Sequence, residues 1–285
     1  MGRMSEFLTR LANEPPFRVV VRAVLAKCNV SVATRSIWEL SKRPEYLLCT
    51  LTAAEEARRE KVPEISIIEF GVAGGDGLLT LQREAEAVER ETGVRIKVYG
   101  FDMGPQGLPS FIGDYRDHPD RWQPGDFPMD EAALRARLTD RTTLILGNVK
   151  DTVPRLFSNF NAPPIGFVSI DLDLYSSTRD ALQIFTLPDK KMLWHVAVYL
   201  DDVEDFPYHR FAGEMLAVDE FNQTNHHVKI DQWRGAGFAG REDSHGIVRP
   251  FPERTYLKKL YVAHDLEGIS KIALERKTWV LPIRE

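Results

Sequence analysis

A short apolar run that leads directly into a glycine-rich turn is the feature that most constrains the fold of this chain. Residues 65–70, Ile-Ser-Ile-Ile-Glu-Phe, are typical of a buried strand, and Gly71-Val-Ala-Gly74-Gly75-Asp76-Gly77 follows at once. Glycine carries no Cβ, so the backbone of such a turn can approach a ligand closely. The turn therefore favours a site for a nucleotide-like cofactor, although strand-to-helix turns often contain glycine for other reasons.

Strands and helices alternate through most of the chain. The predicted strands share an apolar character and lie at residues 65–70, 95–101, 143–147, 164–170 and 194–200. The predicted helices show an apolar repeat of three to four residues and lie at 78–91, 130–138, from about 177 onward, and at 214–222. This alternation predicts an α/β fold with a mostly parallel sheet flanked by helices.

The two ends of the chain are expected to differ from this central part. Residues 1–60 show apolar residues at helical spacing and predict an N-terminal helical extension that acts as a lid or forms a dimer contact. Residues 61–285 are predicted to form one α/β domain. Within it, residues 255–263 and 272–274 are predicted to add antiparallel strands to the sheet.

Composition excludes several classes of protein. The net charge is −5, with 37 Lys and Arg against 42 Asp and Glu, so we expect no nucleic-acid partner. No apolar run approaches the roughly 20 residues that a membrane helix needs, and no signal-peptide pattern is present, so we expect a cytoplasmic protein without membrane contact. The two cysteines, Cys28 and Cys49, have no metal-site spacing and are predicted to be reduced thiols of the core.

Glycine, aspartate and asparagine residues follow the predicted strands, at the edge where parallel sheets bind ligands. These residues are Gly71, Asp102, Gly147-Asn148, Asp171 and Asp201-Asp202. Asp102 can accept hydrogen bonds from ribose hydroxyls, but an Asp at this position also suits a helix N-cap or a turn. Glu69 lies within the apolar strand, where a carboxylate is costly without a partner, and we expect an ammonium or a backbone N–H beside it.

A set of aspartates ends the fourth and fifth predicted strands. Asp171 and Asp173 follow one strand, and Asp201-Asp202 follows its expected neighbour. Carboxylates brought so close repel one another, and oxygen ligands of this kind suit Mg²⁺ or Ca²⁺. The alternative is that these aspartates cap the following helices. His209 follows the same rim and is a candidate general base, whereas the remaining polar-context histidines are predicted to lie on the surface: His226, His227 and His245.

Five segments together resemble the macrocin O-methyltransferase family, which comprises metal-dependent class I methyltransferases that use S-adenosylmethionine. The resemblance spans residues 43–222 and keeps the order of the segments, which are 68–72 (Ile-Glu-Phe-Gly-Val), 99–102 (Tyr-Gly-Phe-Asp), 151–154 (Asp-Thr-Val-Pro), 171–178 (Asp-Leu-Asp-Leu-Tyr-Ser-Ser-Thr) and 201–202 (Asp-Asp). It implies a Rossmann-like class I methyltransferase fold. Residues 187–192 (Leu-Pro-Asp-Lys-Lys-Met) replace the usual Pro-Gly-Gly turn of the family.

The resemblance also implies roles for individual residues. It places the cofactor S-adenosylmethionine against Glu69, Gly71, Asp102 and Asn148, and it makes Asp171, Asp201 and Asp202 the ligands of Mg²⁺. We expect Gly74 and Gly75 of the glycine turn, and Asp171, to contact the cofactor as well, with Asp171 as the catalytic carboxylate and His209 as a further candidate base.

The partner implied in this way is a small hydroxylated acceptor, such as a sugar of a natural product, bound by a homo-oligomer. Two alternatives stay open: an NAD(P)-dependent oxidoreductase on the same kind of sheet, and a non-catalytic binding subunit that retains the fold. The first accounts for the glycine turn and Asp102 but leaves the aspartates at 171, 201 and 202 without a role.

Overall fold

The computed structural model describes residues 17–204, 206–234 and 255–272. Two features predicted above lie outside these residues in whole or in large part: the surface position of His245 and the strand at 272–274. Within the described residues, no helix combines the length and the apolar character needed to cross a membrane.

The core of the described part of the chain is a seven-stranded sheet with the order β3-β2-β1-β4-β5-β7-β6. Its strands are β1 (Glu64–Phe70), β2 (Arg95–Asp102), β3 (Thr142–Leu146), β4 (Ile165–Ile170), β5 (Met192–Leu200), β6 (Val228–Gln232) and β7 (Leu260–Asp265). Strands β1 to β5 are parallel, and β7 pairs antiparallel with both β5 and β6. The predicted Rossmann-like, mostly parallel sheet is confirmed, because alternating apolar strands and helices leave few other ways to bury both sheet faces.

Ten α-helices are described around this sheet. They are α1 (Phe17–Leu25), α2 (Val32–Ile37), α3 (Pro44–Arg59), α4 (Asp76–Thr92), α5 (Glu131–Arg135), α6 (Val149–Thr152), α7 (Leu156–Phe160), α8 (Tyr175–Ala181), α9 (Gly213–Thr224) and α10 (Leu266–Ser270). Short 3₁₀ turns lie at Tyr115–Asp117, Val153–Arg155, Leu182–Phe185 and Thr255–Lys259.

The last strand begins later than the sequence indicates. Residues 255–259, predicted as strand, form a 3₁₀ helix, and β7 covers Leu260–Asp265 instead. Two lysines of this 3₁₀ helix form ion pairs with acidic residues that follow β5. Lys258 lies 3.3 Å from Glu204, and Lys259 lies 3.5 Å from Asp201. These ion pairs hold the segment in a turn and bring Lys259 to the carboxyl edge of the sheet.

Helix α3 is part of the sheet's own core. Tyr46, Leu47, Cys49 and Ala54 are fully buried, and the helix packs against β1, β4 and β5. The boundary predicted at residue 60 therefore separates this helix from the sheet on which it packs. Cys49 is a free, buried thiol as predicted, but the prediction for Cys28 is wrong: it lies exposed just beyond the end of α1, whose outer face is not covered by the sheet.

One carboxylate connects the N-terminal helix to the C-terminal part of the fold. Glu39 forms a buried ion pair with Arg18 of α1 at 2.7 Å, and it accepts a hydrogen bond from the Tyr256 hydroxyl at 2.8 Å. Arg22 also donates to the Glu39 carbonyl at 2.8 Å. Helix α1 is thereby fixed to the 3₁₀ helix that carries Lys259.

Candidate active site

A cavity of about 250 Å³ opens at the carboxyl edge of the sheet. It lies where the strand order changes direction, between β1 and β4, which is where ligands bind in open α/β sheets. Four residues predicted from the sequence line it: Gly71, Asp102, Asn148 and Asp171. The other lining residues come mainly from the loop after β2 and the start of α8, and they include Met103, Leu108, Pro109, Phe127, Leu172, Asp173 and Ser177.

Glycine is required at Gly71 and Gly77 by close packing inside the protein. Gly71 has a φ of +86°, and a Cβ placed there would lie 1.7 Å from the carbonyl oxygen of Asp171. A Cβ at Gly77 would lie 2.0 Å from Oε1 of Glu69. Gly74 and Gly75 belong to the same turn, but they are not among the residues that line the cavity. The turn is thus shaped partly by its own neighbours and not by a ligand alone.

Glu69 is buried, and its partner differs from the predicted ammonium or backbone N–H. The Tyr46 hydroxyl of α3 donates to Oε1 of Glu69 at 2.6 Å. That prediction is wrong because α3, predicted as part of a separate extension, packs on β1 and supplies a phenol instead. Burial raises the pKa of Glu69 to about 8. Oε2 of Glu69 is buried without a hydrogen-bond partner among the described residues, and Glu69 itself is not among the residues that line the cavity.

Asp102 supports the glycine turn through its carboxylate. Oδ2 accepts hydrogen bonds from the N–H groups of Val72 at 2.9 Å and Ala73 at 2.8 Å, and Oδ1 accepts from Gly104 at 2.6 Å. A carboxylate has about four acceptor positions, and three of them are used here. Asn148 begins α6 by accepting from the N–H of Lys150 at 3.0 Å, and it also lines the cavity.

The carboxyl ends of β4 and β5 bring five carboxylates together. Asp171 and Asp173 follow β4, Asp201 and Asp202 follow β5, and Glu214 reaches them from the first turn of α9. Glu214 is fully buried, and its carboxylate accepts from the N–H groups of Leu172 at 3.4 Å and Asp202 at 3.1 Å.

Burial and mutual repulsion raise the pKa values of several carboxyls in this group. Burial, and then the charges of Asp201 and Asp202, raise the pKa of Asp171 to about 7. Burial and the charges of Asp202 and Asp171 raise the pKa of Asp173 to about 8. The pKa values of Asp202 and Glu214 are raised as well, in both cases first by burial. Ionisation of all five carboxyls would therefore leave more negative charge than the described surroundings neutralise.

Two cations lie beside the cluster. The Lys259 ammonium is 3.5 Å from Oδ1 of Asp201, which also accepts a hydrogen bond from the Tyr199 hydroxyl. The Arg43 guanidinium is 4.0 Å from Oδ2 of Asp171 and 3.2 Å from the Tyr46 hydroxyl. Among the described residues, these two cations would not balance five ionised carboxylates, so a further cation could replace the protons that the cluster retains.

The donor set fits a divalent cation in chemistry and charge. All the candidate ligands are carboxylate oxygens, which Mg²⁺ and Ca²⁺ prefer, and Oδ2 of Asp202 is buried without a hydrogen-bond partner in the described chain. Within residues 17–204, 206–234 and 255–272, however, no three His, Cys, Asp or Glu side chains converge as the ligands of a metal ion do. The structure thus brings Asp171, Asp201 and Asp202 to one rim, and their role as metal ligands stays a prediction.

His209 lies at the border of this rim. Its side chain is exposed, its ring lies 5.7 Å from that of His118, and its Nδ1 accepts from the N–H of Phe211 at 3.2 Å. The neighbouring residue faces the cluster: burial, and then the nearby carboxylate of Asp202, raise the pKa of Tyr208. The proposed role of His209 as a base stays a prediction.

Several residues of the site were not indicated by the sequence patterns. Tyr46 and Arg43 lie in or just before α3, Tyr208 in the loop after β5, Glu214 in α9, and Lys259 before β7. Each reaches the rim through tertiary packing. One sequence pattern could have indicated Glu214: it is an ionisable residue on an otherwise apolar helix face, between Ala212 and Ala217.

No protein-family model and no curated protein match this chain. Similar solved structures have low identity. CalS11, described as a calicheamicin methyltransferase, is 22% identical over 78% of this chain and 90% of its own, with a TM-score of 0.47. The O-methyltransferase NovP is 23% identical over 61% and 69%, with a TM-score of 0.46. TomG from Streptomyces achromogenes, an O-methyltransferase involved in tomaymycin synthesis, is 16% identical over 75% and 86%, with a TM-score of 0.39.

Proposed function

We propose that this protein transfers a methyl group from S-adenosylmethionine to a hydroxyl of a small acceptor, with a divalent cation at the acidic cluster. The observation that carries the proposal is the position of Asp171. It lines the cavity at the switch point of the sheet, and it also belongs to the group of five crowded carboxylates. A cofactor in the cavity and a cation at the cluster would therefore share one boundary, which is what transfer between them requires.

The cavity and the strand that leads into it offer groups for each part of the cofactor. Glu69 lies two residues before the cavity-lining Gly71, and its unpartnered Oε2 would accept a hydrogen bond from the amino group of the methionine part. Asp102 has about one acceptor position left for a ribose hydroxyl. Asn148 and Phe127 line the cavity on the side of β3 and the loop after β2, where the adenine would lie.

The cation would be held by Asp171, Asp201 and Asp202, and it would lower the pKa of an acceptor hydroxyl bound to it. Asp171 is then the carboxylate nearest the reacting oxygen. In the transfer the methyl carbon leaves sulfur and bonds to that oxygen, while the hydroxyl proton passes to a base. His209, whose ring lies near that of His118 as the Tyr208 ring does, is a second candidate for this proton.

The acceptor would bind on the open side of the cluster, beside the aromatic loop that follows β5. Phe206 and Phe211 are 94% and 73% exposed there, a degree of exposure that suits contact with a bulky organic molecule. The acceptor class we favour is a sugar of a natural product. The enzyme CalS11, described as a TDP-rhamnose 3′-O-methyltransferase of calicheamicin biosynthesis, acts on a molecule of this kind.

Helix α1 is proposed to contribute an apolar contact surface. Val19, Val20 and Val24 leave an apolar face exposed by more than half, and this face would cover the acceptor or contact a second subunit.

Calorimetry with S-adenosylhomocysteine, with and without Mg²⁺, tests the proposal. We expect binding that Mg²⁺ leaves intact, a separate heat of Mg²⁺ binding, and loss of that second heat in Asp201→Asn. Asp189→Asn is the matched control, because Asp189 is an exposed aspartate in the turn before β5. Absence of S-adenosylhomocysteine binding in both conditions would contradict the transferase proposal.

The same purified protein can be used to distinguish methyl transfer from the two alternative functions. An oxidoreductase would change the fluorescence of added NADH, whereas a methyltransferase would leave it unchanged. A non-catalytic subunit would keep its biological activity after Asp201→Ala, whereas the proposed enzyme would lose turnover.

A further inference from the structure

Two histidines face each other on the sheet, far from the candidate active site. His195 of β5 and His264 of β7 are directly paired in the antiparallel register. Their Nδ1 atoms lie 2.9 Å apart, and their ring planes meet at 77° with centroids 5.1 Å apart. His195 precedes Asp201 by six residues along β5, which corresponds to about 20 Å of strand.

The pair lines an open cavity of about 370 Å³. The cavity lies between the sheet and α3, and Glu56 of α3 contributes a carboxylate to its wall together with Gln232 and Trp233. His195 is exposed and His264 half-buried, so water reaches both rings. Burial and the nearby His195 lower the pKa of His264, which keeps its imidazole neutral at pH 7. A neutral imidazole is the form that binds metals.

The hydrogen bond between the two nitrogens holds them at a spacing that is also found in one coordination geometry. Imidazole nitrogens bind a metal at about 2.0–2.1 Å, so two nitrogens 2.9 Å apart subtend about 90° at the metal. A tetrahedral ion would need about 109° and a wider separation. An angle of about 90° is that of two adjacent ligands in a square-planar or tetragonal site, the geometry of Cu²⁺ and Ni²⁺.

We propose that His195 and His264 form a two-histidine chelating site for Cu²⁺ or Ni²⁺, with water completing the coordination from the cavity. One Nδ1–H now donates to the other Nδ1. On binding, this proton leaves Nδ1, the Nε2 of the same ring takes up a proton, and both Nδ1 lone pairs become available to the metal. The site is independent of the proposed methyl transfer, because it shares no residue with the cavity or the acidic cluster.

Titration of the full chain with Cu²⁺ in excess Mg²⁺ tests the site, since Mg²⁺ occupies oxygen sites and binds imidazole poorly. We expect one tight equivalent of Cu²⁺ by calorimetry. Pulsed electron paramagnetic resonance is expected to show modulation from the remote nitrogens of two imidazoles. In His195→Gln and in His264→Gln, the affinity should fall by about 100-fold or more, because one chelating ligand is lost.

His227→Gln is the matched control. His227 is an exposed histidine that pairs with Glu267 at 3.5 Å and lies outside the cavity, so its replacement should leave the tight equivalent unchanged. Thermal melting of each variant without metal checks that the fold is kept. Equal Cu²⁺ affinity in all four proteins, or a spectrum with a single imidazole in the unchanged chain, would overturn the proposal.

Discussion

The two halves of the sheet's carboxyl edge use the same residue type in opposite ways. At the end of β2, the Asp102 carboxylate accepts three backbone N–H groups at 2.6–2.9 Å. At the ends of β4 and β5, four aspartates and Glu214 face one another, and Asp171 and Asp173 have pKa values raised to about 7 and 8. One half is satisfied by the protein itself, and the other contains carboxyl groups whose ionisation the described surroundings do not fully compensate.

This difference separates structural from ligand-dependent carboxylates. A carboxylate whose oxygens already accept hydrogen bonds stabilises the fold without any ligand. A group of buried carboxylates with raised pKa values costs folding free energy until a proton or a cation neutralises it. Exposure alone would not distinguish the two halves, because Asp102 and Asp171 are both half-buried and both line the same cavity.

The largest effect is expected where the two halves touch. Gly71→Ala would place a Cβ 1.7 Å from the Asp171 carbonyl oxygen, at a φ of +86° that alanine adopts only with strain. We expect a loss of about 3 kcal/mol in the free energy of unfolding, measured by urea denaturation. Gly74→Ala is the control, because no heavy atom lies within 4 Å of its Cβ position and its φ is not positive. Equal stability of the two variants would show that the halves do not meet as described.

The next effect tests the satisfied half. Asp102→Asn replaces one acceptor oxygen with an NH₂ group, which leaves at least one of the N–H groups of Val72, Ala73 and Gly104 without its acceptor. We expect a loss of about 2 kcal/mol in the free energy of unfolding. Asp189→Asn, at an exposed turn, should change it very little. A neutral result for Asp102→Asn would mean that the turn does not depend on this carboxylate.

The smallest effect tests the unsatisfied half through pH. Because the pKa of Asp173 is raised to about 8, the folded state holds a proton that the unfolded state has already lost above pH 5. Stability from this group is therefore complete at low pH and is lost as the pH rises through 8. Between pH 7 and pH 9, the free energy of unfolding should fall by about 1.4 kcal/mol more in the unchanged protein than in Asp173→Asn.

The Asp173→Asn variant suits this comparison because asparagine tolerates the φ of 59° at this position and removes only the charge. The window above pH 7 also avoids His118 and His264, whose pKa values are lowered. Those histidines contribute stability that increases with pH below their unfolded pKa. Urea denaturation at both pH values provides the measurement, and Mg²⁺ should reduce the difference. An equal change in the free energy of unfolding of the two proteins between these pH values would contradict the assignment of a protonated Asp173.

The sequence predicted the elements that carry local patterns. Strands β1 to β5 were placed within two residues of their observed ends in most cases, because each is an apolar run next to a turn or a helix. The residues after these strands were found for the same reason: Asp102, Asp171 and Asp202 follow directly from knowing where a parallel strand ends. Topology then determines that they share one edge.

What the sequence could not predict depends on packing between distant segments. Tyr46 reaches Glu69 only because α3 lies on the sheet, and Lys259 reaches Asp201 only because β7 inserts beside β5. The pairing of His195 with His264 is set by a strand register across 69 residues, which no local periodicity encodes. Cys28, predicted as a core thiol, is exposed because nothing in the described fold covers the end of α1.

The strand order at the antiparallel edge also has a consequence for synthesis of the chain. β6 pairs only with β7 within the described sheet, and β7 is what joins it to β5. A ribosome releases residues 228–232 well before residues 260–265, so during that interval the outer edge of β5 has no neighbour. Unpaired strand edges are where nascent chains associate with one another. Strand β7 therefore covers an aggregation-prone edge, and the 3₁₀ helix just before it carries Lys259.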